Sequence, residues 1–209
     1  MATVVVSSDR KAYQVHKELL IRKSPYFATS LKKEWNGKDN KVELLDVDSA
    51  TFEAFVDWIY MSSFPTIINA AGKWRSTFRL LCNLYKFADR MMMGDMCNAM
   101  VDHIIAFMRP SILVFDFSNV GVVAELDLLD TKLGLMVKES AVKHFLSEPH
   151  MDKDGGMQIE QLGESLDTYE TILLCIREYN QKSWSYLSLN EPCKYHSHPD
   201  GKKCDTAKK

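Results

Sequence analysis

Cys193, His196, His198 and Cys204 stand in the spacing Cys-x2-His-x-His-x5-Cys, four nitrogen and sulfur donors within 12 residues near the end of a 209-residue chain. Thiolate and imidazole are the ligands that tetrahedral Zn²⁺ prefers. Four such donors would close the coordination sphere and leave no position for a reacting water, so the ion would be structural. The two histidines are two residues apart, and both reach one ion only from an extended or turning backbone. Pro199-Asp200-Gly201 supplies turn chemistry that would bring Cys204 back toward them. A polar tail cannot bury a core, and a metal would supply its ordering energy instead. The competing reading is a tail without fixed structure that carries these residues by chance.

Other chemistry-bearing residues carry less. Met151 to Glu160 has the look of a calcium loop, but with Asp152 first, position 6 is Met157 and position 12 is Gly163. A calcium loop needs Gly at 6 and a bidentate Glu at 12. His16 has no nucleophile or acid at a useful spacing and reads as a packed, hydrogen-bonded histidine. Lys73, Arg75 and Arg79 with Trp74 and Phe78 make a small basic and aromatic group. The remaining cysteines, Cys82, Cys97 and Cys175, lie in apolar helical contexts and read as small core residues. No Gly-rich phosphate loop, nucleophile elbow or His-Glu-x-x-His stands in the chain.

The formal net charge is -2, which weighs against nucleic acid and anionic membranes as partners. No run approaches the roughly 20 apolar residues of a membrane helix, and no secretory leader is visible. The expected compartment is nucleus or cytoplasm. Five cysteines, an odd count, do not form a disulfide framework.

Val4-Val5-Val6 reads as a strand, Ala12 to Val15 as its hairpin partner and Lys41 to Leu44 as a third, alternating strand. His16 to Arg22 predicts a short helix. Ser24-Pro25 opens another, with Ser as cap and Pro in the first turn, running to about Trp35. Asp48 or Ser49 caps a helix whose Phe52, Phe55, Val56, Ile59 and Tyr60 share one face. Residues 62–75 read as a loop, and Phe78 to Ala88 and Met96 to Phe107 as helices. Of the triplet Met91-Met92-Met93, at least one must face outward or lie in a junction. Beyond Pro110 strand signals stop, and helices are predicted over Val120 to Leu129, Leu133 to Leu146 and Thr168 to Trp184, with a polar loop at 149–165. Early strands followed only by helices make an α+β domain with an all-helical extension.

Four ordered blocks carry a family resemblance. Val15-His16-Lys17-Glu18-Leu19-Leu20 with Ser24-Pro25-Tyr26-Phe27 comes first. Val42-Glu43-Leu44 with Asp46-Val47-Asp48 follows, then Phe52 to Tyr60, then Leu84-Tyr85-Lys86-Phe87-Ala88-Asp89-Arg90. Together they resemble BTB/POZ domains, and the whole arrangement is similar to the short BTB proteins of filamentous fungi. The resemblance implies a small sheet capped by helical hairpins over residues 1–108; the rest of the chain reads as a helical extension over 109–190 and a Cys/His tail over 191–209. It also implies non-covalent protein binding without catalysis. The partner would be a second copy of the chain or another protein, with Leu20, Tyr26 and Phe27 as candidate contact residues. Alternative readings are an adaptor that binds a cullin-type ubiquitin ligase, or a transcriptional regulator with a zinc-stabilised tail.

Overall fold

β-Branched Val4, Val5 and Val6 suit extended backbone. They form the central strand of a three-stranded sheet in the computed structural model, which describes residues 1–32, 40–66, 73–108, 115, 117–147, 170, 173–177, 192–198 and 204. Two compact units, Met1–Met100 and Val101–Lys209, divide the chain.

In the first unit β1 (Ala2–Val6) pairs antiparallel with β2 (Lys11–Val15), Val4 facing Tyr13. The hairpin turn places Ser7 and Arg10 at positive φ, and the Arg10 amide donates to the Ser7 carbonyl at 3.1 Å. β3 (Lys41–Leu44) lies on the other side of β1 and runs parallel to it, Val4 facing Val42. A parallel return needs a crossover, and α1 (Lys17–Lys23) and α2 (Pro25–Ser30) lie in it. β3 alternates as its sequence predicts: Val42 and Leu44 face the core, Lys41 and Glu43 face water.

α3 (Ser49–Met61) begins at Asp48, whose carboxylate accepts from the Thr51 amide at 2.8 Å. Its Phe52 and Phe55 meet Phe87 of α4 (Lys73–Arg90), with ring centroids 6.4 and 5.0 Å away, and Phe27 of α2 stacks on Phe55 at 6.0 Å. This aromatic cluster is the centre of the first unit. α4 closes with Met92 at positive φ, the Met93 amide bonding the Ala88 carbonyl and the Met92 amide that of Asp89. This is the Schellman pattern with Met at the position where Gly is usual. Met92 is the member of the triplet that faces out, while Met91 and Met93 are buried.

α5 (Gly94–Met108) spans the boundary between the units. In the second unit α6 (Phe117–Glu125) packs on α7 (Lys132–Ser147). Asp127 takes positive φ to end α6, and the Thr131 hydroxyl accepts from the Gly134 amide at 3.1 Å to start α7. Residues 173–177 are helical, with Cys175 buried. The architecture is thus the expected α+β arrangement with helices following the sheet.

Three boundaries differ from expectation. α2 stops at Ser30, with Leu31 leaving helical geometry at ψ 8°; Thr29 and Ser30 are weak helix formers. α4 starts at Lys73, inside the predicted loop, because a charged first turn reads as polar loop. α6 begins and ends earlier than the apolar run placed it. The polar loop at 149–165, the turn at 199–201 and most of the Thr168 to Trp184 helix lie outside the described residues.

Ser24 is fully buried; its hydroxyl accepts from the Phe27 amide and donates to the Met91 carbonyl at 2.8 Å. Ser24→Ala removes the cap and leaves that carbonyl without its donor, costing about 1–3 kcal/mol. The expected readout is a lower urea midpoint. In the second unit a Cβ on Gly134 would stand 2.1 Å from the Leu128 carbonyl oxygen, which is backbone. Gly134→Ala must push the α6–α7 turn apart, at about 1–3 kcal/mol. Circular dichroism on heating should register it as a lower melting temperature.

Candidate metal centre

The donors of the tail are held by a short 3-10 turn, Pro192–Tyr195, packed against α7. Tyr195 is fully buried and its hydroxyl donates to Glu139 Oε2 at 2.7 Å. The Lys194 ammonium reaches the same oxygen at 2.7 Å. Glu139 sits on the inner face of α7 at 5% exposure. A carboxylate so far out of water needs charge-assisted partners, and two consecutive tail residues supply them. Lys132, the first residue of α7, donates to the Lys194 carbonyl at 3.3 Å. Side chain and backbone of Lys194 are therefore both tied to one helix.

The anchored turn points its neighbours at one another. Cys193 Sγ lies 3.3 Å from His198 Nε2, which is 3.5 Å from Cys204 Sγ. The Cys204 amide donates to Cys193 Sγ at 3.3 Å. The ligand atoms of Cys193, His198 and Cys204 all lie within 4.8 Å of one another. With Zn–S near 2.3 Å and Zn–N near 2.0 Å, the N···S edge of a tetrahedral site is about 3.5 Å. The observed edges are close to that value. His196 Nδ1 comes within 3.0 Å of the same Cys204 sulfur, and its ring is 6% exposed. Three of the four residues expected from spacing, Cys193, His198 and Cys204, therefore meet in one group, and His196 touches it through Cys204.

Desolvation, with the Cys193 thiol beside it as the next cause, raises the Cys204 thiol above its ordinary range. A cation would reverse that, since a coordinating thiol loses its proton. The row Cys204, His196, Asp102 also has the order of nucleophile, base and orienting acid. A second thiol and a second imidazole on the same sulfur are what a metal site needs.

The other sulfurs stay apart from this cluster. Cys82, Cys97 and Cys175 are buried; burial raises the Cys82 thiol and pushes that of Cys97 up to about 12. His16 is exposed rather than packed, and its amide and Nδ1 meet the Tyr60 hydroxyl at 3.1 and 2.5 Å. Of the expected contact residues, Leu20 and Phe27 are fully buried and belong to the core of the first unit. Tyr26 alone is half-buried, its ring edge-on to Phe27 at 5.4 Å. Phe78 of the basic and aromatic group is likewise core, with Trp74 stacked on it.

Sequence reasoning missed Glu139 and Asp102. For Glu139 a signal existed: it stands three residues after Met136 and three before Val142, on an otherwise apolar face. Asp102, half-exposed on α5 and 94 positions from His196, carried none.

A family model described as "BTB/POZ domain" matches residues 1–108. Among solved structures the chain is similar to the BTB domain of human gigaxonin, at 20% identity over 47% of this chain and 72% of that one, with a TM-score of 0.36. No curated protein matches the chain. Among the described residues no helix is long and apolar enough to cross a membrane.

Tyr195→Phe keeps the ring and removes one of the two donors to Glu139, at about 1–3 kcal/mol. Hydrogen exchange of residues 192–198 should speed up in the variant; unchanged exchange would mean that Glu139 does not hold the turn.

Proposed function

Because the chain belongs to the BTB/POZ domain family, whose members are interaction modules, we propose that it acts without catalysis, by binding a second copy of itself through the α1–α2 face, and that a structural zinc ion holds its tail. The observation that supports self-binding is how this face is built. Ile21 of α1 is 36% exposed, Tyr26 of α2 is half-buried, and Leu20 and Phe27 lie beneath them in the core. Exposed apolar side chains on helices that cannot shift lose little entropy on docking, and aromatic anchors dominate contact energy. The buried pair thus acts as support for the contact, and Ile21 with Tyr26 as the contact itself.

The zinc reading rests on the donor set. Two sulfurs and the His198 imidazole stand close together beside a turn anchored by Glu139, and the His196 imidazole lies against one of those sulfurs; with His196 as fourth ligand the set would match a closed structural site. Such an ion stabilises the fold and offers no open position for chemistry.

Light scattering after size exclusion tests the first part. The mass should rise toward twice 24.0 kDa with concentration, and Ile21→Glu should hold it at the monomer value. A strict monomer at every concentration removes self-association. Plasma mass spectrometry on untagged protein tests the second part: about one zinc per chain is expected, lost in Cys193→Ser. Less than about half an equivalent defeats a four-ligand site.

A further inference from the structure

The His196 ring is buried between two polar groups that lie on opposite sides of it. Nδ1 faces Cys204 Sγ at 3.0 Å, and Nε2 faces Asp102 Oδ1 at 3.2 Å. A neutral imidazole has one donor nitrogen and one acceptor nitrogen. A carboxylate accepts only, so its partner must be the N–H. Asp102 therefore selects the tautomer with the proton on Nε2 and leaves the Nδ1 lone pair directed at the sulfur cluster. His198 is engaged differently, with its Nε2 3.3 and 3.5 Å from the two sulfurs.

We propose that Asp102 is the outer carboxylate of the metal centre: it orients His196 so that Nδ1 becomes the fourth ligand beside Cys193, His198 and Cys204. The proposal rests on the zinc reading above and deepens it. It assigns a mixed ligand set, Nδ1 from His196 and Nε2 from His198, that spacing in the tail cannot specify. It also makes Asp102 a positioning residue, since it touches the ligand and not the ion.

The consequence is structural. Asp102 belongs to α5, inside the segment that the family model matches, while all four ligands lie in the tail. Glu139 holds Lys194 and Tyr195 from α7. The centre is thus completed only when the tail lies against both helices. An ion bound there clasps the tail to the body of its unit, whereas a free-standing knuckle would carry all its own supports. Outer-shell carboxylates of this kind fix ring orientation and raise ligand basicity, and their loss typically weakens metal binding by about 10–100-fold.

The test uses the full chain. Zinc affinity is measured by competition with a chromophoric chelator, and cobalt(II) serves as a spectroscopic probe of geometry and ligand number. Wild type should give the intense visible bands of a tetrahedral cobalt ion. Asp102→Leu should lower zinc affinity by about 10–100-fold and alter the visible bands, while the thiolate charge-transfer absorption persists. Asp102→Asn keeps an acceptor oxygen at the same place and should recover most of the loss, which a general folding defect would not do. A measurement on wild type needs no variant: ring nitrogen shifts in the zinc-loaded protein should report metal on Nδ1 and a proton on Nε2 of His196, and metal on Nε2 of His198. If wild type loads zinc but Asp102→Leu binds within about twofold with an unchanged cobalt spectrum, the role of Asp102 is overturned and the zinc reading stands; if wild type loads zinc with His196 unligated, the role of Asp102 and the four-ligand set are both overturned and only zinc binding by Cys193, His198 and Cys204 stands. If wild type takes up neither ion, both fail.

Discussion

A carboxylate withdrawn from water is stable only where cations and donors come to it, and Glu139 is such a group. It sits on the inner side of α7 among Met136, Val137 and Val142. Its partners arrive from the tail as two consecutive residues, Lys194 and Tyr195. Leaving a buried charge unpaired costs about 3–5 kcal/mol. The position of the 3-10 turn is therefore set by this one oxygen. Because Cys193 precedes Lys194 and His196 follows Tyr195, satisfying Glu139 also places one sulfur and one imidazole. The placing of the Cys/His cluster thus leans on a salt bridge that contributes no donor to it.

The first unit works on a different principle. Its order comes from apolar packing: four phenylalanine rings from three helices close on one another, and a valine strand lies between two partners. Its ion pairs, such as Arg10 with Glu43 and Lys11 with Glu53, lie at the surface, where solvent screens them and each contributes little. A unit stabilised this way can vary its exposed side chains at little cost. That is the property an interaction module requires, and it separates the binding face from the support beneath it.

Much of this was legible from local rules. The alternation in Lys41–Leu44, the Asp48 cap and the Ser24-Pro25 start each depend on neighbours a few residues away, and each stands where it was read. The four sequence blocks carried the family. What local rules could not separate was a helix's core side from its contact side, because both are apolar; Leu20 and Phe27, expected as contact residues, lie inside. Met92 shows a second limit. The chain takes a left-handed turn there without glycine or asparagine, so the strongest stop signal was absent. The metal donors were legible because their spacing is local. Asp102 and Glu139 were not, since only tertiary folding brings them to residues far along the chain.

A polar tail was expected to depend on a metal for all of its order, and the burial of Tyr195 changes that account. The ring fills part of the unit's own core, and the Glu139 contacts are present in the protein's own side chains. An ion binding here meets a turn already placed, with Cys193 and His196 near their final positions. Less chain entropy remains to be lost on coordination, so more of the binding energy appears as affinity. By the same argument, the ion's stabilisation falls mainly on the part of the tail that Glu139 does not reach. His198 and Cys204 lie beyond the anchored turn and come to the cluster from separate stretches of backbone. Glu139 fixes where the turn lies, Asp102 faces the nitrogen of His196 turned away from Cys204, and Cys193, His198 and Cys204 come together beside that frame.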